Sequence, residues 1–261
     1  MKQPSRLDYL YSVGRVRVLE KNLVSKGVFL EAADEEDIRS VLKMIFDAGQ
    51  FSEEIIDIND SQDLDDFLAR EKSVLNDEIS KIALDEKIEV LIDKANRPQQ
   101  ALEIAEKMGF SFFIEYFRHK IDLSNIKYYS RATYLGFNKN RLKDMLLEGG
   151  FLDETIFIKE FELSYTDFGE KLRATPYYEI WDRATDTLEE EETFVEFERS
   201  FEDFLMRILQ KAKYIVFGPE PVFAYALAKQ RELNLVRLLG IGKLNKIPSE
   251  ILKKRISETY V

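Results

Sequence analysis

The residues able to do chemistry are few, and their spacing suits no reaction. His119 is the only histidine and cysteine is absent, so a zinc site or a nucleophile–base pair would have to draw its other members from dispersed carboxylates. Between Arg118 and Lys120, His119 reads as a surface or helix-terminal residue. Asp57, Asn59, Asp60, Asp63, Asp65 and Asp66 have the composition of a calcium loop, but that loop needs a glycine at its sixth position and a glutamate at its twelfth. Gln62 and Leu68 stand there. The run therefore reads as a solvated linker and helix N-terminus, where negative charge suits the dipole. Gly218-Pro219-Glu220-Pro221 lacks the lysine and spacing of a phosphate loop and reads as the first turn of a helix. Glu189 to Glu192 read as a solvated junction. No catalytic, cofactor-binding or metal-binding residue is assigned.

The elements that must carry these residues are helices. Phe194, Phe197, Phe201, Phe204, Leu205 and Ile208 recur every three or four residues between Thr193 and Lys211, with acidic and basic residues on the other faces. Ser73 to Asn96 repeats the pattern and stops before Arg97-Pro98. Val222 to Ala228 carries no charge, which predicts a helix buried nearly all round. Tyr214-Ile215-Val216-Phe217 is the best strand-like run, yet its place between two helices makes it a connector. The fold class is all-α.

Composition narrows the function. Lys+Arg at 38 against Asp+Glu at 49 gives a formal charge of −11, which as a whole repels nucleic acid and anionic lipid. No stretch has the apolar length of a membrane span or a signal peptide, so the expectation is a cytoplasmic protein that reaches a membrane only through a partner. The lack of cysteine excludes disulfides and thiolate chemistry and fits a reducing compartment.

Internal similarity is the informative feature. Phe113-Ile114-Glu115-Tyr116 leads to Asp122-Leu123-Ser124-Asn125-Ile126, as Phe223-Ala224-Tyr225-Ala226 leads to Glu232-Leu233-Asn234-Leu235. Each is followed by a basic residue and a glycine-containing break, Arg131 to Gly136 and Arg237 to Gly242, then by a short helix, 138–147 and 248–256. Ala48-Gly49-Gln50-Phe51 and Ala174-Thr175-Pro176-Tyr177 also occupy comparable places. A helical module used at least twice implies lobes related by pseudo-symmetry. Asn125, Asn234, Arg131 and Arg237 are expected to serve the fold by bonding carbonyls where helices end.

The stretch from Gly218-Pro219-Glu220-Pro221 through Ala224-Tyr225 and Lys229 to Glu232-Leu233-Asn234-Leu235-Val236-Arg237 and Gly242-Lys243-Leu244-Asn245 resembles the C-terminal signature of the V/A-type ATPase coupling subunit. Members of that family are the C-type subunits of bacterial and archaeal complexes and the d-type subunits of eukaryotic ones. Asp122 to Lys127 with Arg131, Gly149-Gly150, Leu172 to Tyr177, and Tyr9, Arg15, Val16, Arg17 and Glu20 in an opening helix are similar to it as well. Order and spacing match from about Phe112 to the end.

The resemblance implies a non-catalytic adaptor of the central stalk, funnel-like in the family. Such an adaptor sits on the cytoplasmic face of the membrane rotor ring, whose protein loops it meets, and receives the foot of a shaft built of D- and F-type subunits. It supports ATP-linked proton or sodium transport without a cofactor of its own. The family carries three similar lobes, and here the division implied is an N-terminal lobe at 1–111 and a C-terminal lobe at 112–261, with the middle one abbreviated or absent. Arg15 and Arg17 are implied shaft or ring contacts, and Asn125, Arg131, Tyr225, Asn234 and Arg237 are family-motif residues with structural roles. The competing reading is a stand-alone helical scaffold for another protein; an enzyme ranks third for want of a nucleophile, metal cluster or phosphate loop.

Overall fold

A computed structural model describes residues 4–261, and among them none lies in a β-strand. The chain runs through α1 (Leu10–Leu19), α2 (Lys26–Ala32), α3 (Ile38–Ala48), α4 (Ser61–Ile82), α5 (Glu86–Asp93), α6 (Pro98–Met108), α7 (Ser111–Tyr134) and α8 (Lys139–Met145). It continues through α9 (Thr155–Lys159), α10 (Tyr165–Leu172), α11 (Tyr178–Glu191), α12 (Val195–Gln210), α13 (Glu220–Leu244) and α14 (Ser249–Arg255). The fold is all-α, as the periodicity requires.

Helix boundaries follow local chemistry. Asp60 accepts from the amides of Gln62 and Asp63 at the start of α4, so the acidic run is a capping device. Asn138 accepts from the amide of Arg141 and opens α8. Pro98 and Pro221 sit in the first turns of their helices, where a missing amide hydrogen costs nothing. The helix expected over Ser73 to Asn96 is in fact two: α4 ends at Ile82, and α5 starts at Glu86 after Ala83 leaves the helical region at ψ 93°. A continuous apolar period does not reveal a break whose flanking residues stay buried.

The chain forms two compact units: residues up to Ile92 with Met206–Val261, and Asp93–Leu205. The sequential boundary expected at 111/112 falls inside the second unit, in the first turn of α7, which packs on α6. The reason lies in α13. Pro221 to Lys229 are buried without interruption, and α3 and α4 close on the helix further along, where Leu233, Leu235, Val236 and Leu239 join Phe29, Val41, Leu42, Ile45, Leu64 and Phe67 in one apolar cluster. Residues far apart in sequence thus share the first unit's core.

Glycines let these helices meet. Gly240 and Gly242, expected in part as a break, lie inside α13, and a Cβ on them would come within 2.6 Å of Leu64 and 2.4 Å of Leu252. The turn comes later, at Lys246 with φ 55°. The second unit is centred on aromatic rings: Tyr129 stacks on Phe168 at 3.9 Å, and Trp181 packs edge-on against Phe168 and Phe197. Buried polar tips find carbonyls, Trp181 Nε1 donating to Tyr165 and the Tyr129 hydroxyl to Glu160.

One glycine tests how tightly the second unit is fastened. A Cβ on Gly150 would sit 2.0 Å from Asp122 Oδ1, so Gly150→Ala is expected to lower unfolding free energy by about 1–3 kcal/mol, the cost of an overpacked site. Urea titration followed by Trp181 fluorescence measures it, and an unchanged midpoint would show that the loop gives way freely.

Candidate functional site

Each unit is organised around one buried carboxylate on its long helix. In the second, Asp122 of α7 is fully buried. Its Oδ2 accepts from the Tyr177 hydroxyl at 2.6 Å and the Phe151 amide at 3.0 Å, and its Oδ1 from the Leu152 amide at 3.1 Å. Asn125, a turn along, donates to the Leu147 carbonyl and accepts from the Leu147 amide, both at 2.8 Å. Two side chains of one helix therefore fasten the 147–152 segment. Burial raises the Asp122 carboxyl above its ordinary range, with the Tyr177 hydroxyl, the two amides and Arg118 opposing.

His119 is neither superficial nor terminal, which corrects the expectation for it. It lies in mid-α7, with Nδ1 2.7 Å from the Tyr177 hydroxyl oxygen and its ring against Phe151, Tyr177 and Phe204. The Tyr177 hydroxyl thus stands between the Asp122 carboxyl and the His119 ring.

The first unit repeats the arrangement. Glu232 of α13, 3% exposed, accepts from the Val24 amide at 2.7 Å and from the Lys229 ammonium. Lys229 also donates to the Gln50 carbonyl at 3.1 Å and lies over the Phe51 ring at 3.9 Å. Burial raises the Glu232 carboxyl, and Lys229 opposes the rise.

The two sites stand at one register. Asp122 and Glu232 are 110 residues apart, as are His119 and Lys229, and as are the closing turns of the two helices. There, Leu135, Gly136 and Phe137 donate to Arg131, Thr133 and Ala132, while Asn245, Lys246 and Ile247 donate to Ile241, Lys243 and Gly242. Phe51 and Tyr177, which stand in comparable places along the sequence, each pack on the residue three before the acid. At this register Leu235 and Ile241, not Asn234 and Arg237, correspond to Asn125 and Arg131. Asn234 is exposed, and Arg237 bridges to Asp65 on the surface. Arg131 pairs with Glu198 at 2.7 Å and lies over the Phe194 ring.

Each unit also has a recess beside its acid. In the second, a groove of about 660 Å³ is lined by Ile114, Glu115, His119, Phe151, Pro176 and Tyr177. In the first, a recess of about 270 Å³ has Phe51, Glu71, Glu78, Tyr225 and Lys229 in its wall. Tyr225 is 5% exposed, and burial pushes its hydroxyl up. The opening-helix arginines diverge. Arg15 points outward and pairs with Glu78 at 2.8 Å. Arg17 turns inward to Glu20 and to the carbonyls of Ala212 and Ile215. Among the described residues no group of three or more metal-ligating side chains converges, and no helix is long and apolar enough to cross a membrane. The buried carboxylates have their oxygens engaged by amides, a hydroxyl and an ammonium, so they hold backbone in place. The sequence reading missed this role, although an acid between Ile121 and Leu123 in an apolar helix was its signal.

Folding increases the proton affinity of Asp122, so this group favours the folded state most at low pH. The contribution is lost as pH climbs from its ordinary value of 3.8 through the raised one. The stability gap between wild type and Asp122→Asn is therefore expected to narrow as pH rises above the ordinary value of 3.8. Urea titrations across that range read it, and a widening gap would mean that the donors outweigh burial.

Several known proteins are similar to this chain in sequence. Over 173 residues the chain is 27% identical to the C subunit of the V-type sodium ATPase of Enterococcus hirae, covering 66% of this chain and 52% of that protein. It is 23% identical over 235 residues to the C subunit of the A-type ATP synthase of Haloferax volcanii, covering 90% and 64%. The corresponding protein of Halobacterium salinarum is 22% identical over 232 residues, covering 84% and 66%. The chain thus spans about half to two thirds of the length of these relatives. Residues 26–255, nearly the whole helical framework from α2 to α14, match one family model, and on that match the chain belongs to the ATP synthase (C/AC39) subunit family.

Proposed function

We propose that this chain is a non-catalytic coupling subunit of a V/A-type rotary ATPase. It joins the D- and F-type shaft subunits to the membrane rotor ring and so supports ATP-linked transport of protons or sodium ions. The observation that carries the reading is the family match over residues 26–255. Association with the membrane is peripheral, on the cytoplasmic face, through the complex.

The physics of the two units supports a part that carries load. A coupling element loses torque wherever it yields, so it needs helices whose connections are fixed rather than merely adjacent. Asp122 and Asn125 clamp the 147–152 segment, and Glu232 with Lys229 holds Val24 and Gln50. Such buried, charge-assisted bonds resist local opening more than surface pairs do.

Reconstitution tests the proposal. Purified chain mixed with shaft subunits and detergent-solubilised ring from the same source is expected to give a complex containing one copy of the chain and both other parts, resolved by size-exclusion chromatography with mass measurement. Recovery of a folded helical monomer that binds neither part would overturn the proposal and favour a stand-alone scaffold.

A further inference from the structure

Between α12 and α13 the chain crosses an irregular connector that turns apolar side chains outward. Tyr214, Val216 and Phe217 are 87%, 61% and 40% exposed, and the backbone at Ile215 is extended, with φ −90° and ψ 116°. An extended apolar run on a surface ordinarily offers its backbone to an incoming strand. Here that backbone is already engaged. The Ala212 and Ile215 carbonyls accept from Arg17 at 2.8 and 2.9 Å, and the Phe217 carbonyl accepts from Arg6 at 2.7 Å. The Ile215 amide donates to the Ala212 carbonyl at 3.1 Å. Carbonyls facing water need no such donors, whereas backbone entering a medium without hydrogen bonds does.

The charges beside the connector suit the same medium. Lys211 and Lys213 flank it and are exposed, Lys213 lying 4.8 Å from the centre of the Tyr260 ring. The neighbouring acids Glu220 and Glu20 are buried and paired with Arg6 and Arg17. Asp8 and the Arg15–Glu78 pair belong to the other side of the opening helix, since a step of two residues from Arg6 or Arg17 turns about 200° around it. Leu10, four residues after Arg6 and seven before Arg17, shares the face of these arginines and is 53% exposed. It extends the apolar surface from the connector onto α1.

We infer that the 214–217 connector inserts into the boundary between headgroups and acyl chains of a lipid bilayer. Tyr214, Val216, Phe217 and Leu10 enter it, and the ammonium groups of Lys211 and Lys213 reach lipid phosphates. A protein partner would have to supply a shaped pocket for the protruding Tyr214 ring and would give the engaged carbonyls no purpose, while a fluid boundary wraps the ring without one. The contact is shallow: among the described residues no helix is long and apolar enough to cross a membrane. A chain of charge −11 is repelled by anionic lipid as a whole, so the contact rests on apolar insertion, and zwitterionic lipid is the appropriate probe. The inference does not depend on the coupling function proposed above; it adds a direct lipid contact to association through the complex.

Val216→Trp places a reporter on the connector, read as a difference from wild type because Trp181 is buried. On addition of phosphatidylcholine vesicles its emission should move to shorter wavelength and be quenched by bromine carried on the acyl chains. Wild type should float with the same vesicles, and Tyr214→Ser should need at least about threefold more lipid for half-flotation, since interfacial binding follows the apolar area buried. Melting by circular dichroism should be the same for Tyr214→Ser as for wild type, because the ring lies in solvent. Wild type that stays out of the vesicle fraction, or a Tyr214→Ser lipid dependence equal to that of wild type, would overturn the inference. A Val216→Trp shift that comes with purified shaft or ring protein but not with vesicles would assign the connector to a protein partner and overturn it too. The coupling function stands or falls separately, by reconstitution.

Discussion

A carboxylate placed in the middle of an apolar helix must find donors or lose its charge, and each unit of this protein is built around that demand. Removing an ion from water costs several kcal/mol even after relaxation, so Asp122 and Glu232 persist only because backbone amides, a tyrosine hydroxyl and an ammonium meet them. Apart from Lys229, which shares a helix with Glu232, these donors belong to the segments between helices. Satisfying one acid therefore fixes a loop, the loop fixes the helices it joins, and the unit becomes stiff without a disulfide or a metal. The Gly150 backbone lies so close to Asp122 because any side chain there would occupy the place of a carboxylate oxygen.

The two units meet this demand with different chemistry at one register. Lys229 supplies a fixed positive charge to Glu232, over the face of Phe51. In the second unit His119 reaches Asp122 through Tyr177, so a hydrogen-bond chain stands where the first unit has an ion pair. The groove beside His119 is larger than the recess beside Lys229. Keeping the acid while changing its partner preserves the mechanical function of the helix and alters the surface around it.

Much of this is legible in the residues. The aromatic period of α12, the uncharged run from Val222 to Ala228 in α13, the prolines opening two helices and the capping role of the acidic run all follow from patterns that act over a few positions. The likeness of the two acids and of Phe51 with Tyr177 can also be read. What cannot be read depends on neighbours distant in sequence. Gly240 and Gly242 look like helix breakers until Leu64 and Leu252 are found against them. Asn234 and Arg237 look like counterparts of Asn125 and Arg131 until the hydrogen-bonded turns set the register. His119 looks superficial until Tyr177 arrives from 58 residues away. In α1 the arginines draw the eye, while the apolar outward side emerges only when Val13 and Val16 are seen to be buried on the opposite one.

The first unit is assembled from both ends of the polypeptide, with α13 as its centre, and this bears on how the protein is made. A ribosome delivers α1 to α5 long before α13, so the faces of α3 and α4 that close on Leu233 and Val236 emerge with nothing to cover them. The second unit, continuous from Asp93 to Leu205, is complete while the first still waits. Synthesis therefore includes an interval in which sticky helices hang from the nascent chain, the stage at which a chaperone or a slow codon run would have most effect on yield.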